Sequence, residues 1–426
     1  MGRGFFGGEK RTPNVKPVEK IELSEKNPTP RIIAIVALIL IAAMAFAYGA
    51  NKLISGESGW RDVEVRSEKG YTCADDFRFV YNIGVSGVSA NTEYKKLSSL
   101  YTSAMEEIYY ALDEKSVHDG AKNLAYVNQH PNEETEIDPL LYKALESFSE
   151  DRKKLLYLAP IYYDYADLLD SESDEEAREY DPYENDSVKE YFAEVSAFIN
   201  SGTDIKLELL GDNKVLLSVS DEYKAFATEY GIQRYLDFYW LKNAVIIDHI
   251  ADEMISAGFT RGYITSYDGY TRFFGNETLS ADIVVRESSK LTVAATLNTK
   301  SKMSVVYLRN YIMYEGEKYN CYTYENGASR TRYISAADGL CRCAADMLVL
   351  YSENNSCFDI ALSASEIFIA DELDETSLKT LENINTIFHI QAEIQMTYPL
   401  RAMDLHSIKS NKKINAAAHI LCCGVL

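Results

Sequence analysis

The sequence predicts an α+β protein: one N-terminal transmembrane helix followed by a large α+β body outside the cytoplasm. Two observations carry this. Ile32–Tyr48 is an unbroken apolar run, and with its extension to Ala50 it is close to the length that crosses a hydrocarbon core. After it, helical and strand patterns come in blocks, without the alternation of a parallel βαβ fold. The 426 residues, 46% hydrophobic and 25% charged, suffice for a large core.

Residues 1–30 are polar and basic and read as a disordered cytoplasmic arm. Arg3, Lys10, Arg11, Lys16, Lys20, Lys26 and Arg31 precede the apolar run, whereas Lys52 is the single cation between it and Arg61. The positive-inside rule therefore keeps the N-terminus cytoplasmic and places the rest of the chain outside. A cleaved signal peptide would have a shorter apolar core and a much shorter leader, so 31–51 reads as an uncleaved anchor in the cell membrane. A linker follows over 52–74, the folded body over 75–400, and a tail over 401–426. The final Cys-Gly-Val-Leu matches a prenylation box, but this topology puts it where prenyltransferases do not act.

Within the body, 77–87 reads as a strand. The spacing of Leu97, Leu100, Tyr101, Met105, Ile108 and Leu112 predicts a helix over 91–115. Asp138-Pro139 starts a second helix, taken as continuous through Leu169. The acidic stretch 171–186 reads as a solvated loop, since its carboxylates lack calcium-loop spacing. A helix over 187–202, a hairpin over 205–219 and an amphipathic helix over 244–258 follow, the last stopped by Gly258. Strands are expected across 262–314, a short buried helix over 343–353, a strand at 366–371, a helix at 375–384 and a strand at 386–398.

The net charge of −22 excludes a nucleic-acid partner, because no basic face lies beyond the N-terminal arm. The seven cysteines (73, 321, 341, 343, 357, 422, 423) are odd in number and lack zinc spacing, so buried or half-exposed free thiols are expected. No nucleophile elbow, Walker loop or zincin motif occurs.

What remains is a constellation: Asn128 closing "LAYVN", "LDFYWLKNAVIID" over 236–248, Asp268-Gly269, "TYENG" over 323–327, and Ala345-Asp346 before "MLVL". The order of elements and these stretches resemble the ApbE family, the FAD:protein FMN transferases, over about 75–395. The resemblance implies a T-fold-like α+β domain. It implies FAD and magnesium as cofactors, and an acceptor Thr or Ser on a partner protein outside the cytoplasm. It assigns the flavin nucleotide to Asn128, Asp237, Tyr239, Trp240, Asp248, Gly269 and Gly327, and the metal to Asp346.

The motifs are degenerate. Where the family has a glycine pair, this chain has Tyr239-Trp240; its lysine is Asn243 and its next glycine Ala244; the hydroxyl metal ligand is Leu350. Backbone approach to a pyrophosphate wants glycine, and phosphoryl transfer wants oxygen-held magnesium and a cation. Asp346 is expected on a helix beside Arg342, and Asp248 with Asp252 on a solvated face. The sequence thus points to a non-catalytic scaffold acting through protein contacts. The alternative is a divergent transferase in which Tyr239 and Trp240 stack on flavin or adenine.

Overall fold

A computed structural model describes residues 29–67, 73–118, 120–287, 290–313, 319–392 and 395–397. The tail 401–426, with Cys422, Cys423 and the terminal motif, lies outside them, as does the arm up to residue 28.

The chain divides into two units, Met1–Gly56 and Glu57–Leu426. The first contains α1 (Thr29–Ser55). Its stretch Ile32–Gly49 has a mean hydropathy of 2.7, long and apolar enough to cross a membrane.

The second unit runs β1 (Gly59–Asp62), β2 (Phe77–Ile83), α2 (Ala90–Leu112), α3 (Leu124–Gln129), β3 (Glu134–Glu136), α4 (Pro139–Glu146), α5 (Lys154–Tyr157), α6 (Ala159–Asp170), α7 (Asp174–Tyr180), α8 (Asp186–Ser201), β4 (Ile205–Gly211), β5 (Lys214–Val219) and α9 (Asp221–Tyr230). It continues with α10 (Lys242–Ser256), β6 (Gly262–Ser266), β7 (Tyr270–Phe274), β8 (Leu279–Glu287), β9 (Lys290–Thr299), β10 (Lys302–Arg309), β11 (Cys321–Thr323), β12 (Ser329–Thr331), β13 (Met347–Ser352), α11 (Cys357–Phe368), α12 (Glu375–Asn383), β14 (Ile387–Ala392) and β15 (Gln395–Thr397). The strand β1 falls inside the segment read as a linker.

The centre is an eight-stranded antiparallel sheet in the order β1-β2-β6-β7-β10-β13-β14-β15. Side chains alternate between its faces with period two. Val306 and Leu308 of β10 and Leu348 and Leu350 of β13 join the core built with α2, α10 and α11. Met303, Val305 and Tyr307, with Met347, Val349 and Tyr351, pack under the β8–β9 hairpin on the other face. Burial on both sides explains why these strands read as continuous apolar runs.

Local signals set most boundaries. Ser89 and Asp138 cap α2 and α4, Pro139 opens α4, and Gly202 ends α8 in the left-handed region at φ +73°. Four expectations fail. The helix expected after Pro139 is three helices, α4, α5 and α6, with Pro160 opening the last. The segment 343–353 is not a helix but a loop and the central strand β13. The expected strand at 366 is the end of α11. The acidic stretch is not a solvated loop: it forms α7, capped by Ser173, and its Asp181 is fully buried.

Candidate functional site

The segment 235–243 is held from its flanks. Asn128, buried at the end of α3, donates from Nδ2 to the Leu236 carbonyl (3.0 Å) and accepts at Oδ1 from the N–H groups of Tyr235 (3.0 Å) and Leu236 (2.8 Å). The Asp237 N–H donates to the Leu156 carbonyl at 3.0 Å. Its carboxylate accepts from the Tyr239 N–H at 2.8 Å, an Asx turn that starts the single 3₁₀ turn Tyr239–Leu241 leading into α10. Asn128 and Asp237 therefore shape the backbone of the turn.

Tyr239 has φ +45°, in the left-handed region that favours glycine. The backbone has the shape a glycine would give, but it carries a ring. That ring stacks on Tyr162 of α6 with centroids 4.3 Å apart and planes 18° apart. Trp240 is 1% exposed and meets Tyr333 edge-on at 5.3 Å. Its carbonyl accepts from the Tyr270 hydroxyl at 2.8 Å. Aromatic side chains thus occupy the space around the turn.

A cation does lie here, one residue before the position expected. Lys242 Nζ donates to Glu114 Oε2 at 2.6 Å, and Arg234 Nη1 lies 3.8 Å from Glu114 Oε1. Burial works against the Lys242 ammonium, but Glu114 and Asp237 outweigh it and hold its pKa above the ordinary value. Asp237 is pushed up to about 6 by burial and then by the Glu114 charge, with Lys242 opposing. The ungapped match to the family motif aligns Asn243 and passes over Lys242. The partner that uses Lys242 lies 128 residues away, beyond any local signal.

Asn243 instead donates to Asp268 Oδ2 at 3.1 Å, as does Arg332 Nη1 at 3.1 Å, while the Ser266 hydroxyl donates to Asp268 Oδ1 at 2.5 Å. Asp76 is raised to about 6, by burial first and then by Asp268. Gly269, at φ +112°, lies against β10: a Cβ there would sit 2.5 Å from the Tyr307 carbonyl oxygen. Its glycine is required by the sheet, not by an open cradle.

The other named residues lie elsewhere. Gly327, φ +89°, turns the β11–β12 hairpin with open space about it, its N–H donating to the Tyr324 carbonyl at 2.9 Å. The acidic segment clasps this hairpin: Asp174 accepts from the Tyr322 hydroxyl (2.9 Å), and Asp181 from the Tyr324 hydroxyl (2.8 Å) and Arg330 Nε (2.8 Å). Asp346, just before β13, accepts from Asn310 Nδ2 at 3.1 Å, and its carbonyl accepts from the Asn310 N–H at 2.9 Å. The expected helical pair with Arg342 is not made; Arg342 binds Asp338 and Asp371. Leu350 is fully buried in the helix-side core. Among the described residues, no three His, Cys, Asp or Glu side chains converge to hold a metal.

Asp248 is not on a solvated face. It is buried, accepts from Arg272 Nη1 at 2.6 Å, and receives the Cys357 and Phe358 N–H groups at 2.9 and 2.7 Å. Burial raises its pKa against these three donors. It ties α10 to the N-terminus of α11, where a carboxylate is favoured. Asp252 accepts from Arg272 Nη2 at 2.9 Å. The five described cysteines are free, and burial raises the thiols of Cys73, to about 12, and Cys321, to about 11.

The structure therefore brings Asn128, Asp237, Tyr239 and Trp240 together and links Gly269 to them through Asn243 and Asp268. Two clefts, about 500 Å³ at α7 and the start of α8 and about 340 Å³ along α2, contain none of these residues.

No protein-family profile and no curated protein sequence matches the chain. Solved structures do. A point mutant of the flavin transferase ApbE from Vibrio cholerae superposes with a TM-score of 0.49 at 12% identity, covering 80% of this chain and 97% of that one. The ApbE protein of Thermotoga maritima gives a TM-score of 0.51 at 12% identity, covering 78% and 97%. On the latter superposition the chain has an ApbE-like α+β fold, together with one helix apolar enough to span a membrane.

Proposed function

We propose that this protein is a membrane-anchored, extracytoplasmic ApbE-fold scaffold that acts through protein contacts and does not transfer FMN. The observation that carries the reading is the filled turn at Tyr239-Trp240. A pyrophosphate at that helix start would have to displace the Tyr239–Tyr162 stack or the buried Trp240. The residues present do not fit FAD and magnesium. Lys242, the nearby cation, is neutralised by Glu114. Asp346 faces Asn310, and the hydroxyl ligand position is a core leucine, Leu350. No phosphoryl-transfer step is derived through groups the site does not accommodate. The location rests on the basic arm before α1 and the positive-inside rule.

The test is a transfer assay. The purified full chain is mixed with FAD, magnesium and a Thr- or Ser-bearing flavin-acceptor peptide, and covalent flavin fluorescence is read on a denaturing gel. The expected result is no labelled peptide. Labelling that depends on magnesium and on this protein would sink the proposal and establish a rebuilt transferase site.

A further inference from the structure

We propose that the corner of the body formed by Trp60 and the Gly84–Ser89 loop rests in the headgroup region of the membrane that holds α1. The proposal depends on α1 being a membrane anchor and goes beyond it, because it names a lipid-contacting face on the folded body.

Three large apolar side chains are exposed at this corner: Trp60 at 43%, Val85 at 56% and Val88 at 44%. Single exposed valines are ordinary on soluble proteins. Here they are presented by a loop that polar contacts fix in place. Glu93, buried in the first turn of α2, accepts from the Gly84 N–H at 2.6 Å and the Ser86 hydroxyl at 3.1 Å. Arg261 Nη2 donates to the same carboxylate at 2.8 Å. The Ser58 hydroxyl donates to the Gly84 carbonyl at 3.1 Å, and Gly59 pairs with Ile83. Gly84, at φ +75°, admits no side chain, since a Cβ would collide with Ser58 Oγ. The valines are held outward and have no route to the core.

The length of the tether selects the occupant. The apolar stretch ends at Gly49, helix α1 continues to Ser55 and β1 begins at Gly59, so six helical residues, about 9 Å, and then three residues reaching at most ~14 Å join the membrane segment to this corner. Trp60 and the adjacent Arg61 suit that depth: an amphipathic ring prefers the interface, and a long cationic side chain reaches phosphates from it.

The chain has two tryptophans, and Trp240 is buried, so Trp60 can be read by difference. The full chain and its Trp60→Phe variant are reconstituted into phosphatidylcholine vesicles with and without bromine on the upper acyl chain. Flotation and an alkaline wash confirm insertion. The expected result is a blue-shifted Trp60 difference spectrum, quenched at least twofold by brominated lipid and weakly by acrylamide. The double variant Val85→Ser, Val88→Ser should lose at least half of that quenching with Trp240 emission unchanged. A floating protein whose Trp60 is open to acrylamide and blind to bromine overturns the proposal and leaves the anchor standing. Shielding from both quenchers also overturns it, and indicates cover by a second copy. Failure to float refutes the anchor and the proposal with it.

Discussion

Replacing Tyr239 by alanine and by glycine separates two effects that the turn combines. Both variants lose the ring and its stack on Tyr162. Burying an aromatic side chain of this kind is worth roughly 1.5–3 kcal/mol, and the stacked pair adds about 1 kcal/mol; because Tyr239 is only half-buried, the lower end applies, giving about 2–3 kcal/mol. The variants differ in backbone cost. At φ +45° a Cβ costs roughly 1–2 kcal/mol, which alanine retains and glycine escapes. Glycine in turn costs about 0.5–1 kcal/mol more unfolded-chain entropy than alanine. The balance leaves Tyr239→Gly more stable than Tyr239→Ala by about 0.5–1 kcal/mol, opposite to the usual order. Guanidinium unfolding of the full chain in detergent, followed by Trp240 emission, measures both. A glycine variant as unstable as the alanine variant, or more so, would refute the view that the turn has a glycine's conformation.

Three further outcomes are expected. Arg272→Met leaves Asp248 buried without its ion pair and should destabilise by about 3–5 kcal/mol at neutral pH; burial already raises the Asp248 pKa, so the deficit should shrink as the pH falls, and a pH-independent deficit would contradict this. Asp76 is raised to about 6 from an ordinary 3.8, so the folded state binds its proton more tightly than the unfolded one. Stability from this group falls as pH rises from about 4 through 6; half-buried His249, whose pKa is lowered by desolvation, contributes in the opposite direction. The difference between the wild-type and Asp76→Asn stability curves should therefore isolate a slope in that window, and parallel curves would contradict the assignment. Gly269→Ala drives a methyl against the Tyr307 carbonyl and should cost more than ~2 kcal/mol, whereas Gly327→Ala, in open space, should cost only about 1 kcal/mol for its left-handed φ; equal costs in thermal melts would show that the two glycines serve one purpose.

Much of the fold was legible where signals are local. Caps at Ser89 and Asp138, the stop at Gly202 and the Asp212-Asn213 turn mark their elements directly. The central strand β13 was not, because six consecutive buried residues carry no period that separates strand from helix. Asp248 and Asp181 were misread for a different reason. Their partners, Arg272 and Arg330, lie 24 and 149 residues away, so a buried ion pair looks like a surface acid. At the site, the departure of Tyr239-Trp240 from the glycine pair of the ApbE motif was visible in the sequence. The left-handed backbone kept beneath Tyr239 and the neutralisation of Lys242 by Glu114 required the tertiary structure.

If Tyr239 and Trp240 fill the turn against a nucleotide, as proposed, the full chain does not bind FAD, and a flavin titration reads this without any acceptor or turnover. FAD fluorescence is followed as the full chain is added, with and without magnesium. An unchanged signal is expected to the highest protein concentration reached. Saturable, magnesium-dependent quenching would contradict it and show that Tyr239 and Trp240 receive the nucleotide.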